Sequence, residues 1–202
     1  GGPQSLATQE CLDAGFDVLI GEGETGLLTQ LLGRHRLVKA PRVRDLDCLP
    51  NPARHLVKDV VSTSLCHAGK KATTIIASRG CPYACTYCAS PTLWGRKVRR
   101  HSPKYTMREI ASLIADYGIE ELRFQDDEMN LSREWLDGFR SPVPYRCNAR
   151  AECGNWDELR RSGCYEVGIG VESVDPETHY LAKRTQIEKT RRGIEEAIAA
   201  GL

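Results

Sequence analysis

The chain has 202 residues, a formal net charge of +1 and 41% hydrophobic residues. This composition is that of a globular protein, and the near-neutral charge excludes a strong general attraction to nucleic acid or to an acidic membrane surface. No secretory signal or membrane-spanning run is visible in the sequence, which indicates a cytoplasmic protein.

The amino-terminal third of the sequence alternates between helix and strand patterns. Residues 5–14 have the apolar spacing of a helix, residues 16–20 are a short apolar strand, and residues 21–26 are a glycine-rich turn before a leucine-rich helix at 27–33. This order predicts part of a layer wound from alternating strands and helices. Residues 34–72 contain three prolines among many charges and predict a connecting segment.

From Lys71 onwards the sequence repeats a strand followed by a helix. The predicted strands cover residues 73–77, 121–125, 145–152 and 165–173, and the predicted helices begin at Thr106, Ser132, Asn155 and Thr185. Three of these helices begin with a capping box, and a glycine ends two of them. Four strand–helix units in a row predict an α/β fold with a parallel sheet and right-handed crossovers.

Three cysteines follow the first of these strands, within the segment Ser78–Cys88. Cys81, Cys85 and Cys88 can hold three irons of a four-iron cluster and leave the fourth iron open, because a full protein shell uses four cysteines. A zinc site, a disulfide and ordinary burial are the alternatives; structural zinc takes four ligands, usually as two pairs, and no second close pair follows. The other six cysteines are scattered and are expected to be small buried side chains.

Three adjacent carboxylates, Asp126, Asp127 and Glu128, follow the second predicted strand. In parallel α/β barrels the functional residues gather at the carboxyl ends of the strands. Because three neighbouring carboxylates repel one another, a cationic ligand would explain them. A solvated acidic turn, or charges at the start of a helix, would explain them equally well.

Polar residues and glycines mark one face of each of the last two predicted strands. By alternation, one face of the third strand carries Arg146, Asn148, Arg150 and Glu152, and one face of the fourth carries Glu166, Gly168, Gly170 and Glu172. Arg150 has the fork geometry that binds a carboxylate, but an internal ion pair with Glu172 is an equal alternative. Gly168 and Gly170 leave room for a ligand against the backbone, since glycine otherwise weakens a strand.

The basic run Arg96–His101 follows the cysteine loop. Such a run can bind phosphate or RNA, but it is more often a solvated face or is paired with nearby acids. We therefore expect no nucleic-acid partner from it.

The spacing C-x3-C-x2-C, with Tyr87 before the last cysteine, resembles the signature of the radical S-adenosylmethionine (SAM) enzymes. The segment Gly168–Ser173 resembles the Gly-x-Glu-Ser segment of that family, in which the glutamate lies near SAM. Phe124–Asp127 resembles the Phe-x-Asp-Asp form in the branch of the family that carries cobalamin-binding domains. Gly1-Gly2-Pro3 and Gly21-Glu22-Gly23-Glu24 resemble two turns of such a Rossmann-like domain, which precedes the barrel.

The resemblance implies a partial (β/α)6 barrel, of which about four units would be present. It divides the chain into the end of a cobalamin-binding domain at residues 1–33, a connector at 34–72 and a truncated radical SAM core at 73–202. The chain is therefore expected to be an internal fragment of a longer protein.

The resemblance also implies an activity and its cofactors. A 4Fe-4S cluster on Cys81, Cys85 and Cys88 would cleave SAM reductively to a 5′-deoxyadenosyl radical, and the cobalamin branch implies methyl transfer. The residues expected to contact SAM are Tyr87, Asp126, Asp127, Arg150, Gly168, Gly170 and Glu172. The residues expected to face cobalamin are Gly1, Gly2, Gly21 and Gly23.

The expected partners are a small-molecule or natural-product-like substrate and an electron donor such as flavodoxin or ferredoxin, with neither a membrane nor nucleic acid. Two alternative classes stay open. One is a radical SAM enzyme that catalyses a rearrangement, a cyclisation or tRNA methylthiolation. The other is a non-catalytic module that holds zinc on the same cysteines.

Overall fold

The structure is a computed structural model that describes residues 7–57 and 69–202. The predictions for Gly1, Gly2 and Cys66 therefore concern positions outside the described residues. The first described segment contains α1 (Thr8–Asp13), β1 (Val18–Ile20), α2 (Gly23–Gly33) and β2 (Leu37–Lys39). Strands β1 and β2 pair in parallel, so this region forms a small wound layer of strands and helices, as the sequence predicts.

Two details of this layer differ from the sequence pattern. The pattern places residues 37–39 in the connector, but Val38 pairs with Leu19 in the parallel ladder. Three residues are too few to show a period, so the strand character of β2 comes from its partner. Helix α2 begins at Gly23, which shortens the predicted turn. Two short 3-10 helices follow, at Leu46–Cys48 and Arg54–Val57.

Residues 69–202 contain the larger sheet. Its elements and their neighbours are, in chain order, β3 (Ala72–Ile75), β4 (Ser78–Arg79), α3 (Ser90–Leu93), β5 (Arg99–Arg100), α4 (Pro103–Tyr117), β6 (Glu121–Phe124), α5 (Arg133–Asp137), β7 (Tyr145–Asn148), α6 (Trp156–Arg161), β8 (Cys164–Gly168), α7 (Pro176–Lys183) and α8 (Ile187–Ala199). Strands β3, β6, β7 and β8 form one sheet in that order, and each neighbouring pair is parallel. The predicted α/β fold with a parallel sheet is confirmed.

A short antiparallel ribbon closes the base of the cysteine loop. In this ribbon Ser78 of β4 pairs with Arg100 of β5, and Arg79 pairs with Arg99. Gly80 follows β4 with a φ of 101°, and a Cβ at this position would lie 2.7 Å from the Lys97 carbonyl oxygen. Glycine is required here because both the backbone angle and the close approach exclude a side chain.

The starts of the first two predicted helices have different outcomes. Ser132 caps α5 by accepting the Trp135 N–H, as predicted. Helix α4 begins at Pro103 rather than at Thr106, because Ser102 supplies the cap and proline suits the first helical position.

The predicted helix start at Asn155 is confirmed, since Asn155 holds the N-cap position of α6, but its side-chain cap is absent, and the predicted start and cap at Thr185 are wrong. Asn155 has a left-handed backbone with a φ of 59°, and its side chain donates to the Asn130 carbonyl at 2.9 Å instead of capping α6. Helix α8 begins at Ile187 after Gln186, and no side chain caps it. For Asn155 a tertiary hydrogen bond competes with the local one, and a local pattern cannot show this.

The last two strands of the sheet are shorter than predicted, since β7 ends at Asn148 and β8 at Gly168. The chain then forms a 3-10 helix at Ala151–Cys153, and Glu172 takes a left-handed φ of 67°. The predicted strand positions are therefore wrong for Arg150, Glu152, Gly170 and Glu172. Loops, rather than strand faces, place these residues.

The core lies between the large sheet and the helices that connect its strands. Phe124, Phe139 and Tyr145 form an aromatic cluster there, with ring centroids 4.9, 5.8 and 6.0 Å apart. The helices add side chains that are at most 1% exposed, among them Ile110, Leu113, Leu136 and Leu159. Burial of each such side chain stabilises the fold by roughly 1.5–3 kcal/mol. No helix in the described segments is long and apolar enough to cross a membrane.

Candidate functional site

The carboxyl ends of the parallel strands surround a cleft with a volume of about 380 Å³. Its lining includes most of the predicted site residues, namely Cys81, Cys85, Tyr87, Cys88, Asp127, Arg150, Gly168, Gly170 and Glu172. Glu128 of the acidic triplet also lines it, as do Ser90, Asn148 and Lys183, for which the sequence predicts no ligand role. The structure therefore brings the predicted cluster and SAM residues together at one edge of the sheet.

The cysteine sulfurs accept hydrogen bonds from the loop and from Arg150. The Ser90 N–H donates to Cys88 Sγ at 3.4 Å, and Arg150 Nη1 donates to Cys85 Sγ at 3.3 Å. Burial raises the pKa of the Cys81 thiol to about 11, and nearby carboxylates act in the same direction. Metal ligation offsets such a cost, because a bound cation favours the thiolate.

The three thiols fit the ligand set of a four-iron cluster. Such a cluster takes each cysteine on a different iron, so its ligands need to line one cleft rather than to meet at one point. Cys81, Cys85 and Cys88 meet that requirement. Across residues 7–57 and 69–202, no three His, Cys, Asp or Glu side chains lie close enough together to hold a single ion. The donor set that lines the cleft therefore fits the predicted cluster, and the ligand role of the three cysteines stays a prediction.

Arg150 connects the cysteine loop to the last units of the chain. Its side chain is 4% exposed, its Nε pairs with Glu152 at 2.7 Å, and its Nη2 donates to the Lys183 carbonyl at 3.1 Å. Its guanidinium also lies 3.9 Å from the centroid of the Tyr83 ring. The internal ion pair considered from the sequence exists, but its partner is Glu152 and not Glu172. The contact of Arg150 with a ligand carboxylate stays a prediction.

The first two carboxylates of the acidic triplet have different environments. Asp126 is 1% exposed, and it accepts the Ala77 N–H at 3.0 Å and the Ser78 hydroxyl hydrogen. These bonds fasten the start of the cysteine loop to the end of β6, so the structure gives Asp126 a structural role in place of the predicted SAM contact. Asp127 faces the cleft and accepts a hydrogen bond from the Ser90 hydroxyl at 2.5 Å.

Glu128, the third carboxylate, has one oxygen that lacks a hydrogen-bond partner among the described residues. Its Oε2 is buried and accepts no hydrogen bond there. Burial raises the pKa of Glu128 to about 7, although the charges of Arg150 and Lys183 act to lower it. A buried polar atom without a partner costs free energy. This carboxylate is therefore suited to a donor or a cation that a ligand brings.

Tyr87 and Glu172, which are both predicted site residues, meet at the cleft. Both side chains line the cleft, and burial together with the neighbouring Glu172 carboxylate raises the pKa of Tyr87. A Cβ on Gly170 would collide with the same carboxylate. That carboxylate is the movable end of a flexible side chain, so glycine is not required at position 170, and the contact of Gly170 with SAM stays a prediction.

Lys183 is a cleft residue that the sequence patterns do not predict. It is 5% exposed although it lies at the end of α7, and its ammonium donates to the Gly170 carbonyl. No periodic pattern indicates a buried lysine, since lysine is mostly exposed.

The glycine turn after β1 meets the base of the cysteine loop. Glu22 is 2% exposed, pairs with Arg99 at 2.6 Å and with Arg79 at 3.1 Å, and accepts the Val43 N–H at 2.9 Å. Arg79 also pairs with Glu24 at 2.6 Å. Burial alone would raise the pKa of Glu22, but the two guanidinium groups and the Val43 N–H together lower it below its usual value. Ion pairs therefore attach the amino-terminal layer to the ribbon.

The two glycines of this turn have different surroundings. Gly21 has a φ of 109°, and a Cβ there would collide with the Ala40 carbonyl oxygen, so packing against the end of β2 already requires glycine. Gly23 begins α2 and has open space around it. The contact of both glycines with cobalamin stays a prediction.

Known proteins resemble this chain in sequence. The chain is 26% identical over 219 residues to the uncharacterized methyltransferase PH0819 of Pyrococcus horikoshii, covering 87% of this chain and 45% of that protein. It is 28% identical over 176 residues to the cytidylyl-2-hydroxyethylphosphonate methyltransferase of Streptomyces wedmorensis, covering 78% of this chain and 33% of that protein. The chain thus spans less than half the length of these relatives.

Solved structures resemble it in fold. The cobalamin-dependent SAM radical enzyme OxsB, with aqua-cobalamin bound, matches 98% of this chain and 34% of its own, with a TM-score of 0.75 and 18% identity. The radical SAM methyltransferase TsrM from Kitasatospora setae matches 66% of this chain and 30% of its own, with a TM-score of 0.53 and 20% identity. At these identities the likeness concerns the fold alone.

The family profile described as the Radical SAM superfamily matches residues 75–202. This match begins at the end of β3, where the chain enters the cysteine loop, and continues through the strands whose carboxyl ends form the cleft. The resemblance that rested on the cysteine spacing is thereby confirmed over the whole sheet, and the chain belongs to the radical SAM superfamily.

Proposed function

We propose that the chain is part of a cobalamin-dependent radical SAM methyltransferase that acts on a small-molecule or natural-product-like substrate. The observation that carries the proposal is the single cleft that Cys81, Cys85 and Cys88 share with Asp127 and Arg150. The sequence relatives named above are methyltransferases, and both solved structures are described with cobalamin bound. One TsrM structure contains tryptophan as its substrate, which supports the small-molecule class.

The charges of the cleft complement those of SAM, which carries a carboxylate, an ammonium and a sulfonium. Asp127 and Glu128 supply acceptors for the ammonium, and Arg150, which lines the cleft, supplies a positive charge for the carboxylate. A bound cluster would supply the electron for SAM cleavage, and cobalamin would supply the methyl carrier. The residues of the chain orient these groups and keep water away from them.

Metal analysis tests the cluster site. The protein, reconstituted anaerobically with iron and sulfide, is expected to bind about four irons and four sulfides. The variant Cys81→Ala/Cys85→Ala/Cys88→Ala should lose them, whereas Cys11→Ala/Cys48→Ala, outside the cleft, should keep them. Full iron retention in the triple variant would reject the site. Zinc without sulfide would support the non-catalytic module instead.

Cobalamin binding tests the second half of the proposal. A full-length protein should take up hydroxocobalamin, while residues 1–202 alone should not retain it through gel filtration. The reason is size, since a layer with two three-residue strands buries too little surface to hold a large ligand alone. If the full-length protein shows no corrin absorbance, the assignment reduces to a radical SAM enzyme of another reaction type.

The remaining parts of the proposal concern organisation and partners. We propose that the radical SAM core covers residues 73–202 and that a connector precedes it. Because β2 ends at Lys39, we propose that the amino-terminal layer extends at least to Lys39 instead of ending at Gly33. A flavodoxin or ferredoxin would supply electrons, and the cytoplasm, which keeps thiols reduced, suits the cysteine-rich site.

A further inference from the structure

The basic run after the cysteine loop divides into two parts in the structure. Its last three residues, Arg99–His101, each bind a polar group of this chain. Arg96 and Lys97 are exposed, and in the part of the chain that the structure describes neither forms an ion pair. The run is therefore half structural and half available to a partner.

Arg96 and Lys97 line a surface cavity of about 620 Å³ together with Arg42, Arg44 and Trp94. We call these five residues the basic groove. The four cationic side chains are exposed, and no carboxylate within residues 7–57 or 69–202 pairs with any of them. Since the whole chain carries a net charge of only +1, the groove is a local concentration of positive charge.

The basic groove touches the backbone of the cysteine loop. The Cys81 N–H donates to the carbonyl of Gly95, which also lines the cavity, at 3.3 Å. Helix α3 connects the groove to the last cysteine of the loop. The Ser90 N–H donates to Cys88 Sγ, and the Trp94 N–H donates to the Ser90 carbonyl at 2.8 Å. Cys81 is thus one hydrogen bond, and Cys88 two hydrogen bonds, away from a residue that lines the groove.

The groove and the cleft are separate surfaces. They share no lining residue, so a protein seated in the groove would leave the cleft free for SAM and substrate. A partner that must come close to the cysteines without entering the cleft would find this arrangement suitable.

We propose that the basic groove is the docking surface for an acidic one-electron donor protein of the flavodoxin or ferredoxin class. The proposal rests on the proposed function, because a cluster site is what needs such a donor. Complementary charge steers the encounter and sets its orientation. In each encounter the reduced flavin or iron–sulfur centre of the donor loses one electron and the cluster held by the three cysteines gains it, with no bond made or broken between the proteins.

Charge reversal at two matched places tests the proposal in the full-length protein. Arg96→Glu/Lys97→Glu changes the groove, and Lys189→Glu/Arg191→Glu changes the exposed surface of α8 by the same net charge. Calorimetry measures binding of an acidic flavodoxin, and separately of an acidic ferredoxin, at low and high salt. The groove variant should bind the donor roughly tenfold more weakly at low salt and lose most of the salt dependence, while the control stays within about twofold.

Two further measurements separate this proposal from the proposed function. Iron and sulfide content, and SAM cleavage driven by dithionite, need no docked protein and should be equal in both variants. Equal donor affinity in both variants, with a normal cluster, would overturn the docking proposal alone. Absence of a cluster in the unmodified protein would overturn both. Loss of tRNA binding with unchanged donor binding in the groove variant would assign the groove to RNA and would also overturn the proposal.

Discussion

Two regions of the molecule bury a glutamate, and they treat its charge in opposite ways. Where the amino-terminal layer meets the ribbon, Glu22 lies between two guanidinium groups, and its pKa is below the usual value. In the cleft, Glu128 has a buried oxygen without a partner in the described residues, and burial raises its pKa to about 7. The glutamate that is paired with two cations holds two parts of the chain together, and the glutamate whose Oε2 has no hydrogen-bond partner in the described residues is left for a ligand.

The largest effect is expected from Glu22→Ala. This change leaves Arg99 buried without its carboxylate, and breaking a buried pair costs about 3–5 kcal/mol. Urea unfolding of the cluster-free protein measures the loss. Glu196→Ala is the control, since its exposed pair with Arg192, at 2.9 Å, should be worth less than about 0.5 kcal/mol. Equal losses in the two variants would show that Glu22 does not hold the regions together.

Arg150→Ala tests whether the charged groups of the cleft bind SAM. Loss of a charge-assisted contact should weaken SAM binding by about 1.5–3 kcal/mol, measured by calorimetry on the cluster-loaded protein. Arg146→Ala is the matched control, because Arg146 pairs with Glu166 and does not line the cleft. Since Arg150 also touches Cys85, iron content is measured in parallel. Unchanged SAM affinity with an intact cluster would reject the carboxylate contact.

Glu128→Gln should change the stability of the cluster-free protein in the opposite direction to Glu22→Ala. Because burial outweighs the favourable charges of Arg150 and Lys183, removing the charge of Glu128 is expected to leave the cluster-free protein as stable as before, or more stable by about 1 kcal/mol near pH 8. The same change should weaken SAM binding. A substantial loss of stability in Glu128→Gln would mean that this carboxylate has a structural partner, and the contrast with Glu22 would disappear.

The pH dependence of stability should separate the two glutamates with the smallest effects. Because the folded pKa of Glu22 lies below its usual 4.5, its stabilising contribution is present above that pH and is lost as the pH falls through the folded pKa. The folded pKa of Glu128 is raised to about 7, so its contribution is complete below 4.5 and is lost as the pH rises through 7.

Unfolding of the cluster-free protein, measured from about pH 3 to pH 8, checks both directions. Glu22→Gln should remove part of the loss on the acid side, and Glu128→Gln should remove part of the loss on the neutral side. If a variant reduced the pH dependence of the free energy of unfolding in the other pH range, the pKa assigned to that carboxylate would be contradicted.

Local chemistry in the sequence determined where the site is. The cysteine spacing, the carboxylates after the second strand and the glycines near the fourth all follow apolar runs, and the carboxyl ends of parallel strands meet at one edge. The order of the apolar runs therefore sufficed to predict that Cys81 and Asp127 line one cleft, whereas Glu172 was assigned through its resemblance to a family segment, because alternation placed it wrongly in a strand. The spacing of a motif and the end of an apolar run depend only on residues that are neighbours in the sequence, so they can be read from it directly.

Tertiary structure alone decided how each charged group is used. Asp126 and Glu128 are two positions apart, yet one binds the cysteine loop and the other has an oxygen without a hydrogen-bond partner in residues 7–57 and 69–202. Glu22 meets Arg99, and Lys183 meets the Gly170 carbonyl, across long stretches of chain. The free energy of a buried charge depends on desolvation and on the groups that surround it in space. Neither quantity is a function of the adjacent residues, so no local pattern could assign these roles.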